Sequence, residues 1–419
     1  MGRYRKAAAL AASLVVAGGM AAAPAYAGPA GPRLADTPVG IAAAGDCPSP
    51  ASDVKTVPWA LQRVLLDQVW QDGKVTGAGV LVAVIDTGVD NTNPQLAAPG
   101  KVVNGGSLLR GKDKVPVPGD GTTDTVGHGT KVAGIIAAAP RAESGFVGLA
   151  KDASILAIRQ NDSEGNGDVD SLVQAIKTAI TMGAKVINIS QDVRADKDDG
   201  TFGGYPELKD AIELAEKSKV VVVASSGNDG KEGPTYPAAF LSVLAVGASN
   251  RNNERADFSQ YGDFVDIAAP GVDMLSTVPK GGQCLDNGTS FSAPYVAGVA
   301  ALLVGEHPDW TPAQVRARIE QTAQRTTHGP NRFVGWGVVD PVKAVAPTGA
   351  SPVAATATPD APVQLAAAGV LPQPLGLAET QSDRDRRTAT YVVAVAALLV
   401  ALLGGGAVVL RDHRRRARI

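Results

Sequence analysis

Residues 80–90 read Val-Leu-Val-Ala-Val-Ile-Asp-Thr-Gly-Val-Asp. The first six form an unbroken apolar run rich in β-branched side chains, the mark of a strand covered on both faces. Asp86 closes the run at a Thr-Gly turn. Similar runs recur at 155–158, 186–189, 220–223 and 243–246, and residues 171–182 and 206–217 between them carry a helical period. The second helical stretch has Pro206 in its first turn and Glu207 beside the positive helix end. Strand, helix, strand in this order predicts an α/β fold, a doubly wound and mostly parallel sheet flanked by helices, with right-handed crossovers. In such sheets the chemistry belongs in the loops past the carboxyl ends of the strands.

Three further residues stand at such turns. His128 lies in Gly-His-Gly-Thr-Lys-Val-Ala-Gly, and Ser290 in Asn-Gly-Thr-Ser-Phe-Ser-Ala-Pro-Tyr; each turn runs into an apolar helix. Asn228 follows the strand at 220–223 in Ala-Ser-Ser-Gly-Asn-Asp-Gly. A serine hydroxyl is a weak nucleophile until a neighbouring base takes its proton. Imidazole titrates near neutrality, and a buried carboxylate fixes its tautomer and steadies the imidazolium. A helix N-terminus favours the negative charge that develops on attack, and a carboxamide such as Asn228 can donate to the oxyanion. Singly, each residue has an ordinary reading: Asp86 as a turn former, His128 as structural, Ser290 as an N-cap, Asn228 as a turn residue. The order Asp, His, Ser with a placed carboxamide favours the chemical one.

The rest of the composition narrows the field. The chain has 419 residues, 45% hydrophobic and 19% charged, which excludes wholesale disorder, and its net charge of −2 gives no electrostatic reason for a nucleic-acid partner. Two cysteines, Cys47 and Cys284, rule out a disulfide-dense scaffold and a four-cysteine zinc site. The other histidines, His307, His328 and His413, sit in turns or the basic tail. No residue cluster calls for a metal, and no cofactor is implied.

The two ends differ. Arg3, Arg5 and Lys6 precede an apolar run at 7–23, and Ala25-Tyr26-Ala27 is a small-x-small site, so residues 1–27 read as an export signal with the mature chain beginning near Gly28. An uncleaved anchor is the other reading; either way the main body leaves the cytoplasm for a compartment that permits a disulfide. Residues 391–410 carry no charge, enough for one C-terminal transmembrane helix, and Arg411, Arg414, Arg415, Arg416 and Arg418 follow at once. The positive-inside rule makes this tail (411–419) cytoplasmic and the main body extracytoplasmic, anchored in cell-membrane lipid. A buried soluble helix is the alternative, kept open by Gly404–Gly406. Residues 346–390, rich in Ala, Pro and Thr, read as a semi-extended linker.

The strings Val-Ile-Asp-Thr-Gly-Val, Gly-His-Gly-Thr-Lys-Val-Ala-Gly, Ser-Ser-Gly-Asn-Asp-Gly and Gly-Thr-Ser-Phe-Ser-Ala-Pro closely resemble the four signature regions of subtilisin-like serine proteases, over residues 57–345. The resemblance implies a peptidase with Asp86, His128 and Ser290 as catalytic triad and Asn228 as oxyanion donor. It also implies that a protein or peptide substrate binds as an added strand between two edges, one at Gly165-Asn166-Gly167 and one beginning at Ser190. A sheet hydrolase with a Gly-x-Ser-x-Gly elbow is excluded by the flanks of Ser290 and by the triad order.

The chain departs from that pattern in several places. Ser-Leu-Gly-Gly is replaced by Ser190-Gln191-Asp192-Val193, which narrows one wall of the pocket for the residue before the cut and adds a negative charge. The histidine usual three residues after the catalytic one is Lys131. Stretches 99–126 and 192–204 read as surface loops outside the protease core. The extension at 28–56 is too short to be the family's folding pro-domain. It holds Cys47, while Cys284 lies just before Ser290, so a Cys47–Cys284 bridge tethering the extension near the nucleophile loop is expected.

Signal, short extension, peptidase domain, linker and single span together resemble the mycosins, membrane-anchored subtilisin-like proteases of type VII (ESX-like) secretion systems. That resemblance implies limited cleavage of exported proteins and association with the type VII secretion membrane complex. A structural subunit of that complex with catalysis secondary, or an anchored subtilase of unrelated role, would share the layout.

Overall fold

The computed structural model describes residues 47–71, 73–111, 114–162, 167–195, 200–347, 353–361 and 379–417. The expected signal peptide and residues 28–46 of the extension lie outside the described residues. In chain order the strands are β1 (Leu81–Asp86), β2 (Val102–Ser107), β3 (Ser154–Arg159), β4 (Val186–Ile189), β5 (Val193–Arg194), β6 (Val221–Ser225), β7 (Thr235–Tyr236), β8 (Val243–Ser249), β9 (Ile267–Pro270), β10 (Met274–Thr277) and β11 (Gln283–Asp286). The helices are α1 (Trp59–Gln62), α2 (Leu66–Trp70), α3 (His128–Ala137), α4 (Val169–Thr181), α5 (Tyr205–Lys217), α6 (Thr289–Glu306), α7 (Pro312–Gln321), α8 (Pro341–Val345) and α9 (Gln381–Arg416).

Seven strands form one parallel sheet in the order β2-β3-β1-β4-β6-β8-β9. Alternation along β1 shows why the run at 80–85 is apolar throughout. Val82 and Val84 join the core layer that includes residues of α3 and α6, while Ala83 and Ile85 join the layer that includes residues of α4 and α5. Both faces are covered, so neither can be polar. Fully burying one such aliphatic side chain stabilises the fold by roughly 1.5–3 kcal/mol. Helix α6 is apolar on every side, and Thr289–Leu303 are all buried, as a helix threaded through the core must be.

The strand order reverses between β1 and β4, which makes the crevice past their carboxyl ends the topological switch point. Ile85 pairs with Ile189, so the register brings Asp86 and Ser190 to that crevice together.

The stretches read as surface loops are partly core. Residues 99–126 contain β2, an edge strand on β3 whose half-exposed Val-Val-Asn-Gly-Gly-Ser lacks the apolar run of a central strand. Residues 192–204 contain β5, paired antiparallel with β7, and the buried Phe202, whose ring meets Tyr205 edge-on and Tyr236 at a tilt. Part of the 346–390 stretch makes contacts of its own. Val353 O accepts from Gln314 of α7, and Asp360 pairs with Arg325 at 2.5 Å, so 353–361 lies against the peptidase unit.

Contacts divide the chain into Met1–Ala361 and Pro362–Ile419. In the second unit α9 runs unbroken for 36 residues, beginning ahead of the apolar stretch and continuing into the basic tail. It is long and apolar enough to cross a membrane, with mean hydropathy 2.7 over its most apolar window and no buried residue.

Candidate active site

Asp86 ends β1 and is fully buried. Its Oδ1 accepts the backbone N–H of Thr87 at 2.8 Å and lies 2.7 Å from Nδ1 of His128, which is itself buried. That contact places the imidazole proton on Nδ1 and leaves Nε2 as the basic nitrogen; Nε2 has no partner among the described residues. Burial works against protonating His128, but the charge and hydrogen bond of Asp86 outweigh it and hold the imidazole pKa above its ordinary value.

The two glycines flanking His128 do different work. Gly127 takes a left-handed φ of 89° at the N-cap of α3, a conformation that costs a glycine little. A Cβ on Gly129 would collide with the carbonyl of Gly88, so a bare backbone there lets α3 approach the end of β1. The whole turn hangs on Asp124. Its Oδ1 accepts from Thr87 Oγ1 (2.9 Å) and the N–H groups of Val126 (3.1 Å) and Gly127 (2.7 Å). Its Oδ2 accepts from the N–H (2.9 Å) and Oγ1 (2.5 Å) of Thr130. Thr87 Oγ1 in turn accepts from Gly129 N–H at 2.9 Å, joining the Asp86 and His128 segments.

Ser290 is the second residue of α6 and is buried. The next residue, Phe291, sets its ring 5.3 Å from the His128 ring, centroid to centroid. The Ser290 hydroxyl donates to the carbonyl of Ser190 at 3.0 Å rather than to His128. Asn228, just past β6, accepts from the N–H (2.8 Å) and hydroxyl (3.1 Å) of Thr289 through Oδ1, which leaves its NH2 group free to donate elsewhere. Four residues from four separate elements therefore gather at the switch point.

The subtilase family (peptidase S8) matches residues 77–337. Subtilisin E of Bacillus subtilis (strain 168) is 39% identical over 290 residues, 68% of this chain and 70% of the subtilisin. The chain belongs to the subtilase family. Subtilisin Savinase of Lederbergia lenta is 38% identical over 287 residues, 68% of this subtilase and 97% of Savinase. Among solved structures, MycP1 from Mycobacterium smegmatis aligns with TM-score 0.64 and 31% identity over 79% of this subtilase and 94% of MycP1. MycP3 protease from the type VII (ESX-3) secretion system aligns with TM-score 0.62 and 31% identity over 74% and 92%. The protein is therefore a serine endopeptidase with the subtilisin-like fold, similar to the mycosins.

Of the expected substrate edges, Gly165 and Asn166 lie outside the described residues. Gly167 donates its N–H to Asn161 Oδ1 at 3.1 Å. The subtilase carries a buried bridge between the segments that follow β3 and β4, which sequence reasoning missed. Gln191 Nε2 donates to Gln160 Oε1 at 2.6 Å, and Asn161 Nδ2 donates to Gln191 Oε1 at 3.1 Å. Asp192 does face Gly227, beside Asn228, but its carboxylate is only 18% exposed and lies 3.9 Å from Arg194, which also pairs with Asp229 at 2.5 Å. Burial pushes the Asp192 pKa up to about 6, against the pull of Arg194. Asp124 was also missed; its signal was an aspartate four residues before His128 at the head of a Gly-flanked turn.

Cys47 and Cys284 are disulfide-bonded, joining the extension to β11. The nearby Trp59 Nε1 donates to Val272 O at 2.9 Å, and Val54 N–H donates to the Gln283 side chain at 2.7 Å, so the start of the described chain is knitted to the β10–β11 hairpin.

Proposed function

We propose that Ser290 is the nucleophile of this endopeptidase, His128 its general base, Asp86 the carboxylate that orients the imidazole, and Asn228 the oxyanion donor. The observation that carries the reading is the buried His128, with Nδ1 held on Asp86, Nε2 without a partner among the described residues, and its ring beside that of Phe291, the residue after Ser290. Rotation about the Ser290 Cα–Cβ bond transfers the hydroxyl from the Ser190 carbonyl to Nε2. His128 takes the proton as Oγ bonds to the scissile carbonyl carbon, and the oxyanion accepts from Asn228 Nδ2 and the N-terminus of α6. The imidazolium then gives its proton to the leaving amine, and water hydrolyses the acyl-enzyme by the same route. An extended substrate pairs with the backbone at Ser190 and at Gly165, Asn166 and Gly167.

The domain layout (1–27, 28–56, 57–345, 346–390, 391–410, 411–419) completes the reading: an exported protease held by α9, with the peptidase domain outside the membrane and Arg411–Arg418 on the cytoplasmic side. Similarity to MycP1 and MycP3, described as proteases of type VII secretion systems, supports limited cleavage of exported proteins alongside that machinery.

The test compares culture-medium proteins by mass spectrometry from cells carrying the unsubstituted chain or Ser290→Ala. Loss of a few defined fragments with the Ser290→Ala chain is expected; identical fragment sets would overturn the assignment.

A further inference from the structure

Lys131 stands one helical turn beyond His128 on α3. Its ammonium is 2.7 Å from Asp286 Oδ2 at the end of β11, and the two side chains are only 2% and 6% exposed. Taking both charges out of water is costly, and an apolar pair of similar volume commonly stabilises a fold as well or better. Stability alone therefore gives no reason for an ion pair here.

Its location does. The two residues belong to the two segments that must meet for reaction: Lys131 is three residues after His128, and Asp286 is four before Ser290. Asp286 Oδ1 accepts the N–H of Asn287 at 2.8 Å, so its carboxylate also shapes the first step of the loop into α6. Lys131 Nζ lies 5.9 Å from the centroid of the Phe291 ring, the ring that faces the His128 imidazole. On the other side, the Lys131 and Thr130 carbonyls accept from Ser276 Oγ (2.6 Å) and Thr277 Oγ1 (2.8 Å) of β10.

We propose that the Lys131–Asp286 ion pair is a positioning pair: it sets the separation between the α3 turn that carries His128 and the β11–α6 loop that leads into Ser290, so that imidazole and hydroxyl meet. The inference rests on the reading of His128 as general base. Lys131 also acts on that base through its charge. The charged groups around His128 are Asp86 from β1, Asp124 from the preceding turn and Lys131 from α3; β10 and α6 bring the uncharged Ser276, Thr277, Ser290 and Phe291. Burial and Lys131 oppose protonation of His128, while Asp86 and Asp124 favour it.

The experiment uses the full chain in detergent and a peptide substrate, measuring kcat and KM across pH together with Tm for Lys131→Met, Asp286→Asn and the double variant Lys131→Met/Asp286→Leu. Each single substitution is expected to lower kcat about tenfold or more with KM held within about twofold. The acid limb should move to higher pH in Lys131→Met, which removes a positive charge beside the imidazole, and to lower pH in Asp286→Asn, which leaves that positive charge unbalanced. The double variant should regain Tm while kcat stays depressed, because apolar packing replaces the pair without its direction. Unchanged kcat in the single variants, or kcat and Tm recovering together in the double, overturns the proposal; if the single variants do not fold, the double variant decides alone. Ser290→Ala is run beside them: if it is inactive while the pair variants match the unsubstituted chain, only the positioning role falls, whereas an active Ser290→Ala removes the triad and this role with it.

Discussion

Ser190 and Ser290 exchange hydrogen bonds: Ser190 Oγ donates to the Ser290 carbonyl at 2.9 Å, and Ser290 Oγ donates to the Ser190 carbonyl at 3.0 Å. The first bond exists because of Pro294. In a helix the carbonyl of Ser290 would accept from residue 294, but proline has no N–H, so that carbonyl is free for a partner from β4's end. Asn188 Nδ2 completes the chain by donating to Ser190 Oγ at 2.8 Å. Ser190→Ala should leave the buried Ser290 carbonyl unpaired, costing about 1–3 kcal/mol. A lower Tm with reduced kcat is expected by calorimetry and peptide kinetics; an unchanged Tm would show that the bond contributes nothing to the fold.

Activity should fall on the acid side through protonation of His128, with the limb above the ordinary imidazole pKa because Asp86 holds it there. Asp86→Asn removes that support and the tautomer control, so kcat should drop by about 10⁴. For stability the sign is reversed. A histidine whose folded pKa is raised contributes stability that is full below its unfolded pKa and is lost as pH rises through the folded one. Titration of the His128 ring by NMR checks both statements, and an imidazole titrating below its ordinary value would contradict them.

Asp192 offers a stability test independent of catalysis. Its folded pKa of about 6 lies above the 3.8 of an unburied aspartate, so the folded protein carries a disfavoured charge above that pH. The cost grows as pH rises from the unfolded value through about 6. Asp192→Asn should therefore raise Tm at pH 8 and leave it nearly unchanged at pH 4. A gain at pH 4 alone would reverse this account.

Asp124→Ala removes the acceptor of five hydrogen bonds that shape the His128 turn. With the imidazole no longer held in register, kcat should fall about a hundredfold, since small misplacements at a reacting centre have that effect. KM for a peptide should change far less. An equal loss in both constants would point to damage at the substrate edges instead.

Cys284→Ser opens a loop closed across 237 residues of chain. The change should destabilise the folded protein by about 2–5 kcal/mol, measured as a loss of Tm relative to the bridged chain. The same Tm with and without the bridge would mean that the hairpin contacts of Val54 and Trp59 already hold the extension.

Central elements were readable from local pattern because their residues answer to a single demand. Strands β1, β4, β6 and β8 are buried on both faces, so their apolar runs announce them. The half-exposed edge strand β2 and the short β5 answer to mixed demands, and composition made them look like loops. The apolar stretch of α9 and the arginines after it were legible, whereas the helical start at Gln381 was hidden among charged residues.

Local sequence determined which residues carry reactive groups and which turns present them: Asp86 at a strand end, His128 between glycines, Ser290 at the head of an apolar helix. Only tertiary structure decided what those groups touch. The Ser290 hydroxyl rests on Ser190, and Lys131 is buried on Asp286. Partners so far apart along the chain leave no periodic trace, because their meeting depends on strand order and packing rather than on neighbours in sequence.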